Sequence, residues 1–260
     1  MNRPSFEELQ FHVRNQLRHR GFEVVRTGLP EANVLGLHLD RLFDRLAINV
    51  VLDVGAGGGD FGRWLRRNGY TGRIASFEPV SDSFQRLAGH SAADPGWEAF
   101  ELALGSEDGS AEINVSELRV FSSFLERSRY SADEVGASAA VVRTETVPVR
   151  RLDGLAQRAF GGVAEPRVYL KMDTQGWDLE VLAGASGCLG AIVAFQSEVA
   201  VHPLYEGMPA LQDSLARFEE LGFGISGLFP VTLDSNLEVV EFDCVAVRHG
   251  AARRAGGLER

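Results

Sequence analysis

Short apolar runs alternate with amphipathic stretches along most of this chain. Runs near 50–54, 73–77, 98–104, 167–173 and 191–198 have the length and composition of strands. Stretches near 60–68, 81–89, 177–184 and 207–221 carry apolar residues at helical spacing. Continuous runs such as Ala191-Ile192-Val193-Ala194-Phe195 suit parallel strands covered on both faces. The alternation predicts an α/β protein with a doubly wound, mostly parallel sheet.

Around this regular middle the pattern loosens. Ser5 stands three residues before Glu8, a capping-box spacing that predicts a polar-faced helix over 5–20. Leu35, Leu39, Leu42, Phe43 and Leu46 form one stripe of a second helix over 35–46. Residues 1–46 therefore read as a helical flank or lid, 47–249 as the main domain and 250–260 as a tail, fraying from His249 onward. Ala111 to Val115 is a further short strand, and Leu152 to Phe160 a short helix. Pro148 within 146–150 suggests an edge strand. The strands near 223–229 and 239–248 follow each other without a helix, which predicts one antiparallel pairing at the sheet edge. Residues 116–140 read as a long loop with some helix. Such loops in compact α/β domains are often functional, and this one is expected to close over a bound acceptor, with Ser122, Ser123 and Phe124 nearest.

Charge narrows the partners. A formal net charge of -10 argues against nucleic acid, whose phosphates need clustered Lys and Arg. No apolar run reaches the length of a membrane span, and Met1-Asn2-Arg3-Pro4 begins no signal peptide. A cytoplasmic protein without stable membrane insertion is expected. Cys188 and Cys244 lack paired spacing and read as buried free thiols. Among 26 basic residues the single lysine is Lys171, placed two residues before Asp173. A compact, shiftable amine there differs from guanidinium.

The candidate chemistry begins where the first strand ends. Asp53-Val54-Gly55-Ala56-Gly57-Gly58-Gly59-Asp60 is a glycine turn between strand and helix, the nucleotide-binding corner of open α/β sheets. No Gly-Lys-Ser/Thr closes the turn, so it is not a phosphate loop. Asp60 stands where a dinucleotide fingerprint has its third glycine, which disfavours an NAD-dependent oxidoreductase. Asp53 and Asp60 would repel phosphate and suit a ligand with positive charge, as S-adenosylmethionine has in its sulfonium and ammonium groups. Glu78, closing the next apolar run, lies where an acid accepts hydrogen bonds from both ribose hydroxyls. An ordinary tight turn with a solvated Asp60 is the plainer reading.

In such sheets ligands bind beyond the carboxyl ends of the strands. Asp173 ends one strand on the same face as Tyr169 and Lys171, and Glu198 ends the next with His202 in the following loop. Asp173, Glu198 and His202 are the acid/base inventory of that crevice, with Lys171 and Glu198 orienting the acceptor or each other. Asp173 could instead cap the next helix. Glu198 could hold backbone amides or the ligand's amino acid end, and His202 could be an ordinary loop histidine.

These residues resemble the FkbM-type family of class I S-adenosylmethionine-dependent methyltransferases. Val51 to Gly57 is similar to the family's first motif, Ser76-Phe77-Glu78-Pro79 to its ribose-binding segment, and Ala103-Leu104-Gly105 with Asp108-Gly109 to the stretch that lines adenine. Leu170 to Gly176, running on to Ala185, resembles its most diagnostic segment, although many members carry Glu where Gln175 stands. The resemblance covers roughly 35–248. It implies a seven-stranded Rossmann-like sheet in which Asp53, Gly55, Ala56, Gly57, Gly59, Asp60, Glu78, Pro79, Ala103 and Leu104 bind S-adenosylmethionine. It further implies O-methylation of a sugar, glycolipid or secondary-metabolite hydroxyl, and the strand-end residues then offer Asp173 or His202 as base.

Other readings stay open beside it. Two strand-end carboxylates would serve a magnesium-dependent version of the same reaction, although no metal-ligand motif is present. A non-catalytic S-adenosylmethionine-binding partner protein would need only the first half of the site. A homodimer is compatible with either.

Overall fold

The computed structural model describes residues 30–118, 121–135 and 140–252. The helix expected over 5–20 lies outside them. The first described element is α1 (Pro30–Leu46), which starts earlier than the stripe predicted. Then come β1 (Val50–Val54), α2 (Asp60–Arg67), β2 (Arg73–Phe77), α3 (Ser81–Ser91), β3 (Trp97–Phe100), β4 (Ala103–Leu104) and β5 (Gly109–Ser116). The second half holds α4 (Arg129–Val135), β6 (Val141–Arg150), α5 (Leu152–Ala159), β7 (Val168–Met172), α6 (Asp178–Gly184), β8 (Ile192–Ala200), α7 (Leu211–Glu220), β9 (Phe223–Leu233) and β10 (Val239–Arg248).

The main sheet has seven strands in the order β3-β2-β1-β7-β8-β10-β9. Pairings from β3 through β8 are parallel. This is the doubly wound, mostly parallel sheet that the apolar runs predicted. Every residue of β1 is buried because both faces are covered. Leu39, Leu42 and Leu46 of α1, Leu65 of α2 and Leu87 of α3 pack on one face. Leu152 of α5, Val181 and Leu182 of α6 and Phe218 of α7 pack on the other.

Four expectations change. β10 is antiparallel to both β8 and β9, so there are two antiparallel pairings where one was expected. The run at 98–104 is two strands, since β4 leaves the main sheet and joins a second one, β4-β6-β5. Pro148 is in the middle strand of that small sheet, but β4 pairs only Val149 and Arg150, so β6 has a partner on one side alone at the proline. The chain is not frayed directly after β10. His249 donates its amide to Gly222, and Arg167 holds the Ala251 carbonyl at 2.7 Å.

The small sheet is fastened to the main body at α3. Glu145 of β6 accepts the amide of Ser81, the first residue of α3, at 3.1 Å, an anion at a helix N-terminus. Val80 packs with Ile113, Val115 and Val147 beneath Phe124. The segment expected to be a long loop starts here, and it contains α4. Among the described residues no helix is long and apolar enough to cross a membrane.

Candidate active site

At the carboxyl ends of β1, β2 and β7 the structure opens into a cavity of about 450 Å³. Its position follows from backbone packing. A Cβ on Gly55 would sit 2.0 Å from the Asp173 carbonyl oxygen, with φ at +74°, so only glycine lets β1 and β7 meet there. Gly57 is also left-handed, at +54°, but a Cβ there would meet nothing within 4 Å because it would project into open space.

Nearly all the ligand-binding candidates lie together. Asp53, Gly55, Ala56, Gly57 and Asp60 line the cavity, as do Glu78, Pro79, Ala103 and Leu104. Gly59 does not. It is the left-handed N-cap of α2, backed by Leu87 and Trp97. Asp60 is solvated and pairs with Arg63 at 3.1 Å.

Glu78 is 5% exposed. Its carboxylate accepts the Gly57 amide at 2.7 Å and the Val80 amide at 2.8 Å. Burial pushes its pKa up to about 7, against the pull of those two amides. The arrangement locks the glycine turn to the end of β2. Asp53 is fully buried, and its Oδ1 has no hydrogen-bond partner. Burial raises its proton affinity, and Lys171, 3.8 Å away, only partly offsets the effect.

Lys171 and Asp173 line the same cavity, beside Asp53 and the glycine turn. Lys171 Nζ donates to Asp173 Oδ2 at 3.0 Å. Burial would strip the ammonium of its proton, but Asp173 and Asp53 outweigh it and hold the group above the ordinary lysine range. At an effective dielectric near 20, one contact at about 3 Å is on the order of 5 kcal/mol, so two rival the cost of burying the ion. Lys171 is therefore a fixed cation rather than the shiftable amine expected from sequence. Asp173 is no helix cap: Trp177 is the N-cap of α6, with no side-chain cap hydrogen bond, and Asp178, the first residue of α6, accepts the Thr174 amide at 3.2 Å.

Glu198 holds no backbone amide. Its Oε2 accepts Gln175 Nε2 at 2.7 Å. Burial, then the nearby Asp173, Glu241 and Asp243, push its proton affinity well above the carboxylate range. His202 does not line the cavity; its ring stacks on Tyr130 at 5.0 Å. The covering segment reaches the site where expected. Ser122 and Phe124 line the cavity, and the buried Ser123 donates to the Gln175 carbonyl at 2.8 Å.

Two participants were missed. Gln175 joins Asp173, Glu198 and Tyr205, and Tyr205 arrives from a loop 30 positions further along. Position 175 lies within the diagnostic segment, but only the fold shows what its amide touches. Among the described residues, no group of three or more His, Cys, Asp or Glu side chains is arranged to hold a metal ion.

Compared with models of protein families, residues 53–224 match the methyltransferase FkbM domain, more than half of the chain. The chain belongs to the FkbM methyltransferase domain family. Among curated proteins none matches significantly. Among solved structures, magnesium protoporphyrin IX methyltransferase from Synechocystis with bound S-adenosylmethionine is 11% identical. The match covers 95% of this chain and 86% of that one, with a TM-score of 0.45. A methyltransferase from Anabaena variabilis is also 11% identical, covers 95% and 96%, and has a TM-score of 0.37. At such scores the family assignment rests on the matched model. The strand order is that of the Rossmann-like class I methyltransferase fold.

Proposed function

We propose that this FkbM-family methyltransferase takes its methyl group from S-adenosylmethionine and passes it to a hydroxyl of a sugar, glycolipid or secondary metabolite. One observation carries the reading: a single cavity is lined by the Glu78 carboxylate, the open Gly57 backbone and the Lys171–Asp173 pair.

The residues present fit the donor. Glu78 retains acceptor capacity beyond its two amides and suits the ribose hydroxyls. Ala103, Leu104 and Phe124 offer apolar surface to a base, and Asp53 and Asp60 suit a cationic tail. When bound, S-adenosylmethionine supplies an electrophilic methyl group.

The chain's own part is positioning and proton removal. Asp173 is the carboxylate at the cavity that can accept the hydroxyl proton, and Lys171 fixes its direction. Asp53, Asp60, Glu78 and Asp173 line the cavity against Lys171 and Arg86, an acidic balance that suits a neutral or cationic acceptor over an anionic one. His202, the alternative base, stacks on Tyr130 and does not line the cavity.

Calorimetry with S-adenosylmethionine and S-adenosylhomocysteine tests the donor site. Methyl-labelled donor, incubated with glycan and small-metabolite fractions of the source organism, tests transfer, with the product identified by mass spectrometry. Absence of binding removes the reading, and binding without transfer to any fraction leaves a cofactor-binding partner protein.

A further inference from the structure

We propose that Gln175 is a positioning residue for the transfer step: its amide orients the Asp173 carboxylate and ties it to Glu198 and Tyr205. The inference rests on Asp173 being the base. Gln175 Nε2 donates to Asp173 Oδ1 at 3.2 Å and to Glu198 Oε2 at 2.7 Å. Its Oε1 faces the Tyr205 hydroxyl at 2.9 Å. A flipped amide would set Oε1 against the Asp173 carboxylate, so the network admits one orientation.

Gln175 is itself held from the covering segment. It has a left-handed backbone, φ +53°, and its carbonyl accepts Ser123 Oγ at 2.8 Å. The Tyr205 hydroxyl has one proton and two acceptors in reach, Gln175 Oε1 and the Phe121 carbonyl at 3.1 Å. Gln175 is thus anchored to the segment over the cavity through Ser123, while the Tyr205 proton is shared between its amide and that segment.

The consequence is electrostatic. Asp173 faces Lys171 on its own strand, Asp53 on β1 and Glu78 at the end of β2. From the other side it faces Glu198 on β8, Asp178 on α6, Glu241 and Asp243 on β10, and the Tyr205 hydroxyl. A neutral donor between Asp173 and Glu198 bridges the two carboxylates without adding charge. A carboxylate at 175 would set a third acid against them.

Lys171 is the only lysine in the chain, so ε-13C lysine labelling gives one side-chain resonance, 3.0 Å from Asp173. Its chemical shift in the full-length protein, read at one neutral pH, reports the Asp173 contact and needs no acceptor. Asp173→Asn, which removes the ion pair, sets the size of the shift that a lost contact produces. Gln175→Met, which keeps the bulk and loses the donor, is expected to move the resonance towards that value, and Gln175→Glu, which puts a like charge against Asp173, to move it as well. A resonance unmoved in both Gln175 variants overturns the proposal. If Gln175→Met fails to fold, Gln175→Glu decides alone. Failure of the base assignment looks different, because Asp173→Asn would then transfer methyl groups at the normal rate while the Lys171 resonance still responds to Gln175.

Discussion

The two ends of the cavity are built by different means. The donor end is made of backbone: a glycine turn, two amides on Glu78, and apolar residues next to one another in sequence. The acceptor part is made of side chains, Lys171, Asp173 and Gln175, held from behind by others of β8, β10 and the loop before α7. Local chain geometry can specify the first. Only tertiary structure can specify the second, and a mostly fixed donor with a variable acceptor is what such a division would serve.

The comparison can be broken most severely at Gly55. Its missing Cβ is what allows β1 to touch Asp173, so Gly55→Ala should destabilise the fold by about 4 kcal/mol or more. Gly57→Val should abolish donor binding, because its side chain enters open cavity, and should cost the fold only the roughly 1–3 kcal/mol of a left-handed non-glycine backbone. Denaturant melts and calorimetry separate the two. Equal stability loss in both would mean that the turn has no distinct structural and ligand-facing glycines.

At the acceptor end, Asp173→Asn should retain donor affinity and lower transfer by roughly 10²–10⁴-fold, the cost of a lost general base. Normal turnover in this variant would remove Asp173 from the chemistry.

These two sites also show what could be read from sequence. The apolar runs, the glycine turn and Glu78 are contiguous signals, and they placed the main sheet and the donor end. The split of 98–104 was invisible because Ala103 and Leu104 are as apolar as the strand before them, and only their pairing with β6 separates them. The place of Gln175 was hidden for a similar reason, since its partners Glu198 and Tyr205 are distant in sequence. His202 was drawn in by its nearness to Glu198 along the chain, but the loop turns it onto Tyr130.

A subtler test compares the ends by pH. Burial raises Glu78 from 4.5 to about 7, so between those values the native state binds more protons than the unfolded chain. Its contribution to stability is full below about pH 4.5 and is lost as pH rises through 7, on the order of 3 kcal/mol. Ribose hydroxyls donating to the carboxylate favour its ionised form, so donor affinity should rise between pH 5 and 7, with proton release. Glu78→Gln should flatten both trends and weaken binding by roughly 1.5–3 kcal/mol above pH 7. A donor affinity independent of pH in the wild type would place the ribose elsewhere.

The smallest effect probes the join between the two ends. Ser123 is 1% exposed; its hydroxyl donates to the Gln175 carbonyl and accepts the Leu125 amide at 3.0 Å. Ser123→Ala removes both bonds without touching the donor end. At about 1 kcal/mol net for each buried hydrogen bond, losing the two corresponds to roughly 30-fold easier opening. Hydrogen exchange should therefore quicken by about that factor across 121–128 and spare β1, while affinity for S-adenosylhomocysteine stays at the wild-type value. Ligand should slow exchange in the same segment if it closes over the acceptor. Exchange unchanged by the substitution would mean that packing of Phe124 on Trp177, whose rings lie 5.3 Å apart, holds the segment without Ser123. Quickened exchange with lost affinity would show instead that the two ends are one unit.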